Sequence, residues 1–247
     1  MGYCAQYLKK KLSNNWKVLG THQDDFLSFN SFEDITHVLI SIPPNEEGDP
    51  VFQRYLKKIS NIKWLGYFSV TSVYGDTKGA WVQENSPTSC QSSQAKNRLK
   101  AENQWLSTNL PVHIFRLAAI YGPQRNIIER MLENKVRRFA SPGQIFNRIH
   151  VDDIIQVLHA SMLAPNPGAI YNLADDLPST YEETLIYAAD LLNIEPPKIE
   201  TSKSQCSNVG TRRVSNQKIK KELNIKLQYP SFKEGLSAIC SELRNHH

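Results

Sequence analysis

Apolar and polar positions along the chain sort into two kinds of segment. Short runs of branched and aromatic residues, at 16–19, 36–42, 64–68, 112–119 and 169–173, stop abruptly at small polar residues, turns or proline. Such runs predict strands buried on both faces of a parallel sheet. Between them lie stretches whose apolar positions recur every three or four residues. Ala5, Leu8 and Leu12 mark one at 2–14, and Phe52, Tyr55, Leu56 and Ile59 mark another at 51–60. That period predicts helices with one apolar face. Further helices are predicted at 94–108, 124–139, 152–163, 180–192, 215–223 and 231–243, and a brief strand at 26–29. Strands alternating with helices imply an α/β fold in which a parallel sheet is covered on both faces.

The stretch at 63–75, KWLGYFSVTSVYG, organises this pattern. Its apolar run closes in the hydroxyls of Ser69, Thr71 and Ser72. In an open α/β sheet a ligand lies outside the carboxyl ends of the strands, so residues 69–72 are expected to face a bound small molecule. The opening is unusual, because the chain begins on a helix with no strand before it. Gly2 and Ala5 resemble the back half of G-x-G-x-x-G/A, the turn that sets a dinucleotide pyrophosphate on a helix N-terminus. The first glycine and its strand do not precede them. The expectation is that the coding start lies upstream of Met1 or that the gene is decayed.

Composition narrows the class. With 247 residues, 40% hydrophobic and 21% charged, the chain has the make-up of a soluble globular protein of one large or two small domains. A net charge of +5 is spread out, and the densest basic cluster, 135–138, reads as a solvated helix face rather than a nucleic-acid site. Cys4, Cys90, Cys206 and Cys240 lie far apart, with no metal-ligand spacing. They read as free thiols in a reducing cytoplasm. No apolar run approaches the roughly 18–20 residues needed to cross a bilayer. The expected partner is a small-molecule substrate, with no metal, nucleic acid or membrane; a homodimer is compatible with the sequence.

Four motifs then occur in order: SVTSVYGD (69–76), FRLAAIYGP (115–123), RIHVDDI (148–154) and AIYNLADD (169–176). Together they resemble the extended short-chain dehydrogenases/reductases, the NAD-dependent epimerase/dehydratase superfamily, and most of all its atypical bacterial branch. The likeness runs from Gly2 to about Leu236. It implies a Rossmann-type doubly wound parallel sheet, residues 1–122 and 150–175, with a small C-terminal α-rich substrate domain, residues 123–149 and 176–247. It also implies NADP or NAD as cofactor, held by Gly2, Ala5, Thr21, Ser41, Ile42, Pro43, Ser69 and Ala118. Substrate contacts fall to Tyr74, Tyr121, Arg148 and His150. An acid that would hold the adenosine ribose is expected near 20–22 and is missing; Asp24 and Asp25 come later, which leans the choice toward NADP.

The family chemistry uses a Tyr as acid/base, a Lys four residues on, and a Ser or Thr that orients the substrate oxygen. Spacing of four places Tyr and Lys on one helix face. Here Tyr74 and Lys78 match by letter, but Gly75 and Gly79 make the stretch a loop; Tyr7 and Lys11 match on the first helix, in the nucleotide half. On the matching helix the Tyr position holds Gln94 and the Lys position holds Arg98. The hydroxyl position holds Val70, flanked by Ser69 and Thr71. Gln has no proton to give up, and Arg is permanently charged. Thr71, Gln94 and Arg98 are therefore the candidate catalytic positions, with Gln94 and Arg98 equally readable as a solvated helix face. His150 is readable as a packing residue or as a catalytic group, and Asp152 and Asp153 as helix N-terminal residues. The implied function is an oxidoreductase or epimerase-like activity on a small carbonyl or sugar with an altered active site. The alternative is a non-enzymatic dinucleotide-binding regulator or scaffold.

Overall fold

The computed structural model describes residues 2–12, 16–20, 34–59, 61–139, 143–200 and 210–245. Helix α1 (Tyr3–Leu12) turns Cys4, Leu8 and Leu12 inward at a spacing of four. Its last turn carries Lys9, Lys10 and Lys11, where positive charge suits the helix dipole. Strand β1 (His37–Ile40) follows. Helix α2 (Pro50–Tyr55) starts where Asp49 accepts a hydrogen bond from the Phe52 N–H at 2.8 Å and Pro50 presets φ. A single 3₁₀ turn, Leu56–Lys58, ends it.

Strand β2 (Trp64–Val70) is the organising stretch and passes directly into a 3₁₀ turn, Thr71–Tyr74. Strand β3 (Trp81–Val82), helix α3 (Ser93–Leu106), β4 (Val112–Leu117) and β5 (Ala119–Tyr121) come next. Then follow α4 (Ile127–Leu132), β6 (Arg138–Phe139), β7 (Ile145–Phe146) and β8 (Arg148–His150). Helix α5 (Val151–Leu163) leads to β9 (Ile170–Leu173), β10 (Ser179–Thr180) and α6 (Tyr181–Leu192). The chain continues with β11 (Ile199–Glu200), β12 (Arg213–Val214), α7 (Gln217–Glu222) and α8 (Phe232–Asn245).

Four strands form one parallel sheet in the order β1-β2-β4-β9. Side chains alternate between its faces. Trp64, Phe68, Phe115 and Tyr171 point toward α1 and α5, where Leu8, Ile154 and Leu158 meet them. Leu65, Tyr67, Val112 and Ile114 point the other way, against Val51 and Tyr55 of α2 and Ala101 and Trp105 of α3. Burial from both sides explains why the strands read as continuous apolar runs. The expected α/β, doubly wound parallel architecture is what forms. A third cluster joins Tyr121 to Ile128 and Met131 of α4, Ala188 of α6, and Phe232 and Leu236 of α8.

Some sequence expectations need correction. Residues 16–20 lie in no strand, because no described strand runs beside them to complete a ladder. The basic helix expected over 124–139 stops at Leu132; Asn134 takes a left-handed backbone (φ 55) and Arg138 joins β6. The helix expected from Asp152 begins at Val151 and is capped by His150 instead. The brief strand expected at 26–29, Thr21 and Cys206 fall outside the described residues.

Gly235, inside α8, is explained by close approach. A Cβ there would overlap the Tyr121 phenol in the third cluster. Gly235→Ala should therefore lower stability by about 1–3 kcal/mol through overpacking, despite the ~1 kcal/mol that alanine normally gains in a helix. Urea denaturation checks this; a stabilised variant would show that Tyr121 yields freely.

Candidate functional site

The parallel sheet brings its carboxyl ends to one edge. Past β1 lie Ser41, Ile42 and Pro43; past β2 lies the Thr71–Tyr74 turn; past β4 lies Ala118. Four of the residues expected to hold a cofactor, Gly2, Ala5, Ser41 and Ile42, line a single cavity of about 240 Å³. Gly2, at the start of α1, is exposed, and a Cβ added there would meet nothing within 4 Å. Pro43 is exposed and Ala118 buried; neither these two nor Ser69 lines that cavity.

The start of α1 is docked onto the turn that follows β5. The Tyr3 hydroxyl donates to the Pro123 carbonyl at 2.8 Å, and the Arg125 guanidinium lies 5.7 Å from the centre of the Tyr3 ring. Gly122 permits this contact, since a Cβ there would come within 2.6 Å of the Tyr3 hydroxyl and 2.7 Å of Val151. The YGP motif thus abuts the helix start from which the phosphate turn was read.

Alternation puts Ser69 on the sheet face that carries Leu65 and Tyr67, opposite Arg116 in the ladder and beneath α3. It is 1% exposed, and its hydroxyl has no hydrogen-bond partner. Thr71 is buried at the head of the turn, while Ser72 is half-exposed. Gln94 is exposed in the first turn of α3, behind the Ser92 cap, which accepts from the Ala95 N–H at 3.2 Å. Arg98, one turn on, reaches under the strand ends. It donates to the Phe68 carbonyl at 2.6 Å, to the Ile42 carbonyl at 3.4 Å and to the Tyr67 hydroxyl at 3.3 Å. It ties the ends of β1 and β2 together. Burial pushes the Tyr67 phenol above its ordinary value, with Arg98 opposing the shift.

Tyr74, expected beside substrate, is buried in a polar network. Its hydroxyl donates to Asn172 Oδ1 at 2.7 Å and accepts from Arg116 at 2.9 Å. Arg116 also forms a two-pronged ion pair with Glu102, at 3.1 and 2.7 Å. Glu84, from the loop after β3, accepts from the Asn172 N–H at 2.9 Å and so occupies the outer side of β9. Motif spacing did not reveal this network. The signal available was an Arg in the fully buried strand β4 and a Glu among the buried residues of α3, an arrangement that demands pairing.

The remaining expected residues cluster on the other side of β5. The Tyr121 hydroxyl donates to the Ser231 carbonyl at 3.2 Å. His150 sits between the rings of Tyr121 and Tyr229, at 5.1 and 4.0 Å. Its Nδ1 accepts from the Asp152 N–H at 3.2 Å, and burial pulls its pKa down to about 4. It is therefore neutral at pH 7, with Nδ1 occupied. Arg148 donates to Ser179 Oγ at 2.7 Å and lies 5.6 Å from the centre of the Phe232 ring. Nearby, burial raises Asp175 to about 8 and Asp153 to about 6. Asp153 accepts from the Gln228 and Tyr229 N–H groups at 2.6 and 3.1 Å, which holds the run before α8 onto α5.

Among the described residues no group of His, Cys, Asp and Glu could hold a metal ion, and no helix is long and apolar enough to cross a membrane. Cys4, Cys90 and Cys240 are free thiols.

No protein-family model matches the chain. It is 30% identical over 211 residues to Protein YeeZ of Escherichia coli strain K12, covering 80% of this chain and 73% of that protein. A functionally unknown conserved protein from Silicibacter pomeroyi DSS has a solved structure that matches with a TM-score of 0.90 at 37% identity, covering 98% of this chain and 96% of that one. UDP-glucuronic acid 4-epimerase from Bacillus cereus, solved in complex with NAD, matches with a TM-score of 0.69 at 19% identity, over 90% of this chain and 79% of that one, a likeness of fold. These findings show that the chain belongs to the family of Protein YeeZ, and its parallel sheet with two helical layers has the Rossmann-type fold of the NAD-dependent epimerases and dehydratases.

Proposed function

We propose that this protein binds NAD(P) at the carboxyl ends of β1 and β2 and uses it on a small carbonyl or sugar substrate. One observation carries the reading: Gly2, Ala5, Ser41 and Ile42, drawn from two separate segments, line one cavity. The residues present fit a dinucleotide. The open backbone at Gly2 stands at the head of a ten-residue helix, where phosphate is favoured by unpaired N–H groups and the helix dipole. Ser41 and the Ile42 backbone line the same cavity from the end of β1. A bound nicotinamide supplies hydride transfer. The chain's own part is to hold the strand ends in register through Arg98, to close the α1 start through Tyr3, and to present Thr71 as the hydroxyl nearest the family's substrate-orienting position. We read residues 1–122 and 150–175 as the dinucleotide half and 123–149 with 176–247 as the substrate half. The separate apolar cluster of α4, α6 and α8 supports that division. Binding of a UDP-sugar, the substrate class named for the Bacillus cereus enzyme, would draw on Arg148 for its negative charge.

A second reading, a dinucleotide-binding regulator without turnover, is favoured by the state of the altered triad. Gln94 is exposed, Arg98 is engaged by carbonyls, and the Tyr74 hydroxyl is fully paired. Calorimetric titration with NAD(H) and NADP(H) tests both. Saturable binding of either cofactor is expected, with a preference for the NADP pair. Folded protein that binds neither ends the proposal. Binding without nicotinamide absorbance change, across carbonyl and sugar-nucleotide panels, selects the regulator.

A further inference from the structure

A second cavity, of about 310 Å³, opens past the carboxyl end of β9, the strand at the opposite edge of the sheet from β1. No residue lines both this cavity and the one that touches Gly2. Its size is at the small end of the range for small-molecule sites. The loop after β9 supplies Asp175 and Asp176, β3 supplies Trp81, and the run from β12 into α7 supplies Asn216 and Lys220. The two acids differ in state. Asp176 is engaged: its Oδ1 accepts from Asn216 Nδ2 at 2.7 Å and from Lys220 Nζ at 2.5 Å. Asp175 is not. One of its oxygens accepts from the Leu177 N–H at 3.2 Å, while the other is buried and has no hydrogen-bond partner. The residue is 2% exposed, so bulk water does not stand in for one. A carboxyl oxygen so placed costs free energy until a donor reaches it. Trp81, by contrast, is 58% exposed, an open apolar face beside a buried acid.

We propose that this cavity binds a small primary amine, whose ammonium group donates to the free oxygen of Asp175 and whose apolar body lies against Trp81. Charge favours a cation over a neutral donor, because Lys220 is held by Asp176 and leaves Asp175 without a cation of its own in the cavity lining. A metal ion does not suit the site: among the described residues no group of His, Cys, Asp and Glu could hold one. A guanidinium suits it less, since its fork takes both carboxylate oxygens and Leu177 already holds one. An ammonium is a point donor and needs a single oxygen, and an indole face attracts cations as well as alkyl groups. Several groups face Asp175 from the elements around it. Arg148 of β8 favours its ionised form; Asp176 and Asp153 of α5 oppose it, and Tyr121 of β5 also senses its charge. Burial outweighs them all and raises the carboxyl to about 8. Binding therefore releases one proton from Asp175 to solvent, while the amine, with an ordinary value of about 10, keeps its own.

The test needs no cofactor, so its failure is separate from failure of the dinucleotide reading. The full chain is titrated calorimetrically with hexylamine and with its neutral counterpart, hexanol. Saturable binding of hexylamine at one site is expected, with hexanol at least about tenfold weaker. Hexylamine affinity should rise with pH. Between pH 6.5 and 8 the ionised fraction of a carboxyl at about 8 grows from about 3% to about 50%, which strengthens binding roughly fifteenfold. Trp81→Ala, at an exposed position, should weaken binding by about threefold or more. Asp175→Asn should weaken it at least about tenfold and remove the pH dependence. If that variant does not fold, the amine–alcohol comparison and the pH profile of the unaltered chain decide. Absence of saturable binding, hexanol binding as tightly as hexylamine, an affinity that does not rise with pH, or binding left unchanged by either variant would each overturn the proposal.

Discussion

Replacing Glu102 with alanine should lower the free energy of unfolding by about 3–5 kcal/mol, the usual loss when one partner of a buried ion pair is removed. Arg116 is 3% exposed near the end of β4 and Glu102 is 1% exposed on α3, so water cannot take over from the missing carboxylate. The guanidinium would keep the Tyr74 hydroxyl and the Glu84 carbonyl, neither of which carries the compensating charge. The damage should reach the strand end, because Tyr74 closes the turn after β2. Urea denaturation monitored by far-UV circular dichroism gives the number. Replacing both partners by apolar residues of similar size should recover much of the loss. A single-variant loss below about 1 kcal/mol would mean that the pair is solvated and that the network does not hold the turn.

Stability should also fall as pH rises from 6.5 to 8, and Asp175 is the cause. Burial raises its carboxyl from an ordinary 3.8 to about 8, and one carboxyl oxygen has no hydrogen-bond partner. In the unfolded chain it is ionised throughout this window; in the folded chain it keeps its proton until pH 8. The folded state therefore binds more protons, and stability declines with pH by about 2 kcal/mol across the window. His150 acts in the opposite sense but at lower pH. Its value is lowered to about 4, so it contributes stability that grows between pH 4 and 6.5 and is complete above that. Asp153, raised to about 6, has the sign of Asp175 but has ionised by the start of the window. Denaturation at intervals from pH 6.5 to 8 should show the slope, and Asp175→Asn should flatten it. A flat profile in the unaltered chain, or an unchanged slope in the variant, removes Asp175 from this role.

The sheet was legible because its strands are buried on both faces. That requirement leaves unbroken apolar runs such as WLGYF and VHIF, which chain order and crossover rules assemble into a parallel α/β layer. Helix ends were less legible where a side chain caps from an unexpected position, as His150 does in place of Asp152. The extra strand read at 16–19 shows the limit of local pattern. The residues have strand character, but a strand exists only where a neighbour supplies its hydrogen bonds.

For the site, the chain alone gave the strand-end motifs, the superfamily resemblance and the Gln94 and Arg98 that stand at its expected triad positions, since each is a matter of residue type and order. Only the tertiary structure decided what those residues do. It turned Ser69 under α3, spent the Tyr74 hydroxyl on Arg116 and Asn172, and used Arg98 to hold two strand ends together. It also gathered Gly2, Ala5, Ser41 and Ile42 around one cavity. The physical reason is common to all of these. A motif specifies which groups a strand end carries, whereas burial and the partners that reach a group from distant segments determine whether it faces a ligand or satisfies the interior.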